Sequence, residues 1–299
     1  MDDLSFSLKT LCTRSGEGSF GTRALRQRGL LAMADDLKHM GYRLPGAQSL
    51  KGKHVAALVA HWKTSGLSDQ TIRNRLTWLR WWAYQVNKPG LLPKTNDTFG
   101  LAERGRYSGN KAKRLEQAAL ERIPDARIQL ALKLEAAFGM RREEALKFRP
   151  AIADKGDRIA LKASWCKGGR YREIPITHDK QRALLDEVRT VVGDGSLIGT
   201  GRNYHQALKS YENQLIKAGI SNAHGYRHAY AQWRYKQLTG WSCPAAGGPT
   251  VDTLSQAEAA RDRAARLEIS HELGHGRLDV TDTYLGRRFA PTSKREDAA

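Results

Sequence analysis

Several shortages in this 299-residue sequence narrow what it can be before any motif is weighed. Acidic residues are scarce: 31 Asp and Glu against 50 Lys and Arg leave a formal charge of +19 and a pI of about 10.0. That imbalance points to a polyanionic partner, nucleic acid before a membrane surface, with a merely soluble basic surface as the plainer alternative. Only three cysteines occur, Cys12, Cys166 and Cys243, far apart and odd in number. They exclude a disulfide framework and point to a reducing compartment. No apolar run approaches the roughly 18 residues of a membrane span. Met1-Asp2-Asp3 lacks the basic start and apolar middle of a signal peptide. The expectation is therefore a cytoplasmic protein of bacterial type. No Walker-type phosphate loop is present, so no ATP site is expected. Hydrophobic residues, at 40%, are too many for a disordered chain, and the length suggests two domains.

The apolar spacing predicts a helical first domain over residues 1–95. Residues 1–21 are polar and rich in Gly and Ser, and read as a loose arm. Leu25, Leu30, Ala34 and Leu37 follow a helical period over 22–39, and Val55, Leu58, Val59 and Trp62 do so over 53–63. The clearest helix starts at the N-cap Ser68, with Ile72, Leu76, Leu79, Ala83 and Val86 as its stripe until Pro89-Gly90. Its other side carries Arg73, Arg80 and Trp81, which either lie along a phosphate backbone or form a solvated outer face. Residues 96–113 read as a linker. A second domain over 114–299 combines helices with two short strands near 158–161 and 170–176, flanking the turn Lys167-Gly168-Gly169. Helices are expected near 178–192, 203–218, 224–238 and 254–273, with a Gly/Pro-rich loop at 240–250. The fold class is thus mainly α with a small antiparallel β-sheet, in two domains.

Three boxes concentrate chemistry in the second domain. The first is Gly139-Met140-Arg141-Arg142-Glu143-Glu144, where Glu144 sits one helical turn from Arg141 and can hold its guanidinium. The second is His224-Gly225-Tyr226-Arg227-His228, with His224 and Arg227 again one turn apart. The third is Leu273-Gly274-His275, followed by Thr281 and Tyr284. Together they supply the arginines Arg141 and Arg227, two or three histidines and a tyrosine able to act as a nucleophile. Those groups can hold a phosphodiester and attack it without a metal.

In this order, with the lysine hairpin between the first and second boxes, the sequence resembles the tyrosine recombinases of the phage integrase family across essentially its whole length. The match includes the His275 to Tyr284 spacing and Arg227-His228-Ala229-Tyr230-Ala231, similar to the family's Arg-His-Thr-Phe-Ala. The resemblance implies a core-binding first domain of the kind in mobile-element integrases and a site-specific recombinase acting on double-stranded DNA, as a tetramer on paired sites and a monomer or dimer when free. It implies Tyr284 as the nucleophile that forms a 3′-phosphotyrosyl link. Arg141 and Arg227 would stabilise charge on the non-bridging oxygens, and Lys167 would protonate the leaving 5′-oxygen. His224 would be the general base, His275 a hydrogen-bond donor that binds the phosphate, and Glu144 a buried support. Neither metal nor cofactor is implied.

Two features depart from the family pattern. The loop at 240–253 and the helix after it look inserted between Arg227 and His275, and only a short polar tail, 285–299, follows Tyr284. Three other readings compete. A type IB topoisomerase would use the same groups, and a non-catalytic DNA-binding protein could retain the fold. The stretch His271-Glu272-Leu273-Gly274-His275 also spells the zinc-protease His-Glu-x-x-His motif, although Gly274 weakens a helix there and no third ligand follows at the metzincin spacing.

Overall fold

The computed structural model describes residues 2–101 and 109–289. The chain separates into two compact units, residues 1–104 and 105–299. Among its described residues the first unit holds helices and no strand: α1 (Asp3–Arg14), α2 (Phe20–His39), α3 (Gly52–Thr64) and α4 (Asp69–Gln85). α1 corrects the expected loose arm. Leu4, Leu8 and Cys12 recur every four residues and are buried, and the Asp2 carboxylate accepts from Ser5 N at 2.8 Å to cap the helix. The Gly/Ser cluster that suggested disorder is confined to the turn after it. Ser68 caps α4 as its sequence predicts, and all five stripe residues from Ile72 to Val86 are buried. α2 is less regular, since Leu25 of its expected stripe is 51% exposed. The core centres on Trp62 and Trp82, each fully enclosed, a burial worth a few kcal/mol apiece. Their indole N–H groups donate to Asp36 Oδ2 (2.9 Å) and the Ala47 carbonyl (3.0 Å).

The second unit contains α5 (Gln117–Glu121), α6 (Ala126–Phe138), α7 (Arg142–Lys147), α8 (Pro150–Ala153), β1 (Arg158–Leu161) and β2 (Arg172–Pro175). After the strands come α9 (Asp179–Val192), α10 (Tyr204–Lys217), α11 (His224–Thr239), α12 (Gln256–Glu272) and α13 (Leu278–Leu285). α6 buries residues on nearly every side and is the central helix, packed by α7, α9 and α11. β1 and β2 pair antiparallel, Ile159 opposite Ile174. Their connection is not the tight hairpin expected. It runs ten residues through two 3-10 turns, Ala163–Trp165 and Lys167–Gly169, and β2 begins only at Arg172.

α13 was not predicted, because eight residues are too few for a clear period. It carries Tyr284 and ends with Leu285 buried, so the first residue of the expected polar tail belongs to the core. Residues 290–299 of that tail, and 102–108 of the linker, lie outside the described residues. The inserted loop has a definite place. Cys243 is fully buried, Gly286 rests against Pro244 and Ala245, and Val251 N donates to the Arg288 carbonyl at 2.9 Å. The loop therefore seats the chain that leaves α13. Among the described residues no helix is long and apolar enough to cross a membrane.

Candidate active site

Four helix ends converge on one guanidinium. α6 stops at Gly139, whose φ of 59° turns the chain where a side chain would strike the Tyr230 ring. That turn exposes the Gly139 carbonyl and sets Arg141 as the N-cap of α7. α12 stops at Leu273, and Gly274 (φ 66°) redirects the chain so that His275 enters the site. Arg227, in the first turn of α11, is 1% exposed. Its Nη1 donates to the Gly139 carbonyl and its Nη2 to the Leu273 carbonyl. Nη2 also lies 3.3 Å from His275 Nε2, and Nε donates to Tyr284 Oη at 3.4 Å. The hydroxyl of Tyr284, a residue 4% exposed at the last turn of α13, is also 3.4 Å from His224 Nε2. One atom thus faces an arginine and an imidazole together.

Arg141 is held as the sequence suggests. Its Nη1 donates to Glu144 Oε1 (2.8 Å), its backbone N to Glu144 Oε2 (2.6 Å), and its Nη2 to the Leu273 carbonyl (3.2 Å). Sequence reasoning missed Arg172, which grips the same carboxylate in bidentate fashion at 2.7 and 2.5 Å from a fully buried position. The signal was the strand alternation that turns Arg172 and Ile174 to the same, buried face. Burial pushes the Glu144 carboxyl up, but the hydrogen bonds and charge of Arg172, with Arg141 and Arg227 behind it, bring it down to about 2. Three guanidinium groups thereby surround one carboxylate, an excess of two positive charges in a desolvated setting. Burial lowers Arg227 to about 10. Burial first and the arginines second lower His224 to about 4 and His275 to about 3, so both imidazoles are neutral at pH 7.

Lys167 stands exposed on its 3-10 turn and lines a cleft of about 830 Å³ together with Arg141 and His224. The structure thus brings Arg141, Lys167, His224, Arg227, His275, Tyr284 and Glu144 into one region. Thr281 is fully buried one turn before Tyr284. His228, quoted in the motif but given no role, packs against Tyr284 with ring centroids 4.5 Å apart and planes tilted by 41°. A second unpredicted group fixes α13: Arg266, 1% exposed, donates to Asp262 on its own helix (2.7 Å) and to Asp282 on α13 (2.9 Å).

The three first-unit candidates are engaged within their own unit. Arg80 donates to the Pro93 and Thr95 carbonyls and to Asn96 Oδ1, at 2.9, 2.9 and 2.7 Å. Trp81 Nε1 donates to Glu17 at 2.7 Å, and Arg26 stacks on its ring. Arg73 pairs with Asp69 at 3.7 Å. Of the three, Arg80 and Trp81 serve to tie chain segments together. The His-Glu-x-x-His match also dissolves. The helix ends between its histidines, His271 is exposed, and Glu272 is buried, accepting from Tyr230 Oη and Arg234 Nε at 2.8 Å each. A glutamate so occupied cannot activate water.

The family model described as phage integrase, N-terminal, matches residues 1–88, and the integrase model matches residues 106–233. The chain belongs to the phage integrase, or tyrosine recombinase, family of enzymes that carry out site-specific DNA recombination. Among solved structures, the fold is similar to the XerH site-specific recombinase bound to palindromic difH substrate in a post-cleavage complex. That pair shares 19% identity over 94% of this chain and 80% of that one, with a TM-score of 0.57. A lambda integrase dimer bound to a COC′ core site aligns with a TM-score of 0.59 at 15% identity, covering 94% and 75% of the two chains. The Tn1549 transposon integrase in complex with transposon right end DNA gives 0.57 at 14%, covering 96% and 95%. No curated protein sequence matches the chain.

Proposed function

We propose that the chain cleaves and rejoins duplex DNA by attack of Tyr284 Oη on a phosphodiester, leaving a 3′-phosphotyrosyl link and a free 5′-hydroxyl. The observation that carries this reading is the placement of one phenol oxygen 3.4 Å from both Arg227 Nε and His224 Nε2, beside two uncompensated positive charges. A pentacoordinate phosphorane gathers negative charge on its non-bridging oxygens, and Arg141, Arg227 and His275 are the donors that would meet it. His224, neutral at pH 7, takes the phenol proton. Lys167, free to reach across the cleft, returns a proton to the leaving 5′-oxygen. The bond energy is kept in the covalent link, so rejoining needs no nucleotide.

Within this reading the enzyme works in the cytoplasm on paired DNA sites as a tetramer, a reading supported by the fold it shares with a XerH recombinase bound to palindromic difH substrate and a lambda integrase tetramer bound to a Holliday junction. The test is recovery of covalent adducts from a library of randomised nicked duplexes, followed by sequencing of the trapped strand. Wild type should enrich one sequence and retain activity in chelator. Tyr284→Phe should bind the recovered duplex equally well and give no adduct. An adduct in Tyr284→Phe would move the nucleophile elsewhere, and adducts without sequence enrichment would favour a topoisomerase.

A further inference from the structure

Residues 110–113 form a strap laid along α11. Lys113 N donates to the Gly225 carbonyl at 3.0 Å, and the Lys113 ammonium is spent on Ser221, on its carbonyl (2.8 Å) and its hydroxyl (3.1 Å). At the other end Asn110 Oδ1 accepts from Ala112 N (2.9 Å) and from Gln232 Nε2 (2.8 Å). The same Gln232 amide donates to the Tyr284 carbonyl at 3.1 Å. The strap is therefore bonded to the helix bearing His224 and Arg227 and, through one side chain, to the residue bearing the nucleophile. Between these anchors sits Lys111. Its carbonyl lies 2.7 Å from where a Cβ on Gly225 would be, so only glycine next to His224 admits the strap this close.

We propose that Lys111 is a further substrate-contacting residue, its ammonium taking a non-bridging oxygen of the DNA phosphodiester beside the scissile one. The strap fixes its backbone at the rim of the histidine pair, while its exposed side chain has no partner among the described residues. Lys113, two residues on, shows the alternative use of a lysine here, and Lys111 lacks it. After burial and neighbouring charged groups, Lys111 is among the charges that keep His224 and His228 neutral, which places its ammonium within electrostatic reach of the catalytic end of α11. A flexible stem ending in a point charge suits a phosphate whose position shifts as the strand is cut and released.

The proposal rests on Tyr284 acting as the DNA nucleophile, and the two can fail separately. The experiment uses the full chain and the recovered nicked duplex, prepared as a series with one neutral methylphosphonate at each phosphate flanking the cut. Lys111→Ala should lower the slope of log affinity against log salt by about 1 and slow adduct formation, while Lys111→Arg restores most of both. At one methylphosphonate position next to the cut, wild type should fall to the level of Lys111→Ala, and the variant should lose nothing more. Equal behaviour of wild type and Lys111→Ala on every duplex, or a deficit that stays constant across the series, overturns the contact. No adduct from wild type on any duplex would instead remove the underlying reading.

Discussion

At the scale of single residues, two carboxylic acids a few residues apart carry opposite instructions. Glu144 is ionised and pinned by two arginines, whereas burial raises the Glu135 carboxyl to about 8 even though the hydrogen bond it accepts from the Tyr211 hydroxyl pulls it down. The unfolded chain releases the Glu135 proton near pH 4.5, while the folded chain keeps it until about pH 8. Its contribution is therefore complete below pH 4.5 and is lost as pH rises to 8, a penalty on the order of a few kcal/mol. Glu135→Gln keeps an acceptor for the Tyr211 hydroxyl, so urea melts of this variant should show a flatter decline from pH 5 to 8 and greater stability than wild type at pH 8. Parallel profiles would mean the acid ionises without cost. Lys167 permits a sharper chemical test. If it protonates the leaving oxygen, a step of roughly 10²–10⁴-fold, Lys167→Ala should be slow on normal DNA and largely restored on a duplex with sulfur at the 5′ bridging position. Arg141→Ala should stay slow on both, because charge on the non-bridging oxygens still lacks its donor. Equal impairment of Lys167→Ala on both substrates would assign the proton to another group, His224 being the nearest.

At the scale of elements, the boxes were legible because local turn chemistry fixes them: Gly139 and Gly274 end helices, and the residues after each enter the site. Helices with long apolar stripes, such as α4, were also plain from their period. What could not be read is whatever depends on distant partners. Arg172 meets Glu144 from a strand 28 residues away, and Arg266 meets Asp282 across 16. α1 was hidden by the polar residues around three buried ones, and α13 by its brevity. The inserted loop was visible as an irregularity, but its use was not. It holds Gly286 at φ 88°, with Ala245 N only 2.6 Å from the position of an added Cβ. Gly286→Val should therefore displace the end of α13 and cut adduct formation at least tenfold, with DNA affinity kept and a melting temperature lowered by a few degrees. Full adduct formation by this variant would show that the loop does not set the position of Tyr284.

At the scale of the whole molecule, the excess of basic residues and the unpaired charge in the site act at different ranges. The first gives long-range attraction that salt screens, the second a local demand for an anion. Sulfate should meet the local demand. At about a hundred times its Kd it adds about 2.7 kcal/mol, so it should raise the melting temperature beyond chloride at equal ionic strength. Arg141→Ala should lose that extra increment, and an undiminished one would place the sulfate elsewhere. The meeting of helix ends on Arg227 has another outcome. This guanidinium joins α6, α11 and α12 through the Gly139 and Leu273 carbonyls before any substrate arrives. Lineages of this chain that abandon strand cleavage are free to discard Tyr284 or Lys167, but discarding Arg227 would leave the buried Gly139 carbonyl without its donor, at a cost of about 1–3 kcal/mol, and the Leu273 carbonyl with Arg141 alone. In such descendants the arginine would be a marker of ancestry and the tyrosine a marker of activity, and a chain keeping one without the other would be a retired enzyme with its architecture intact.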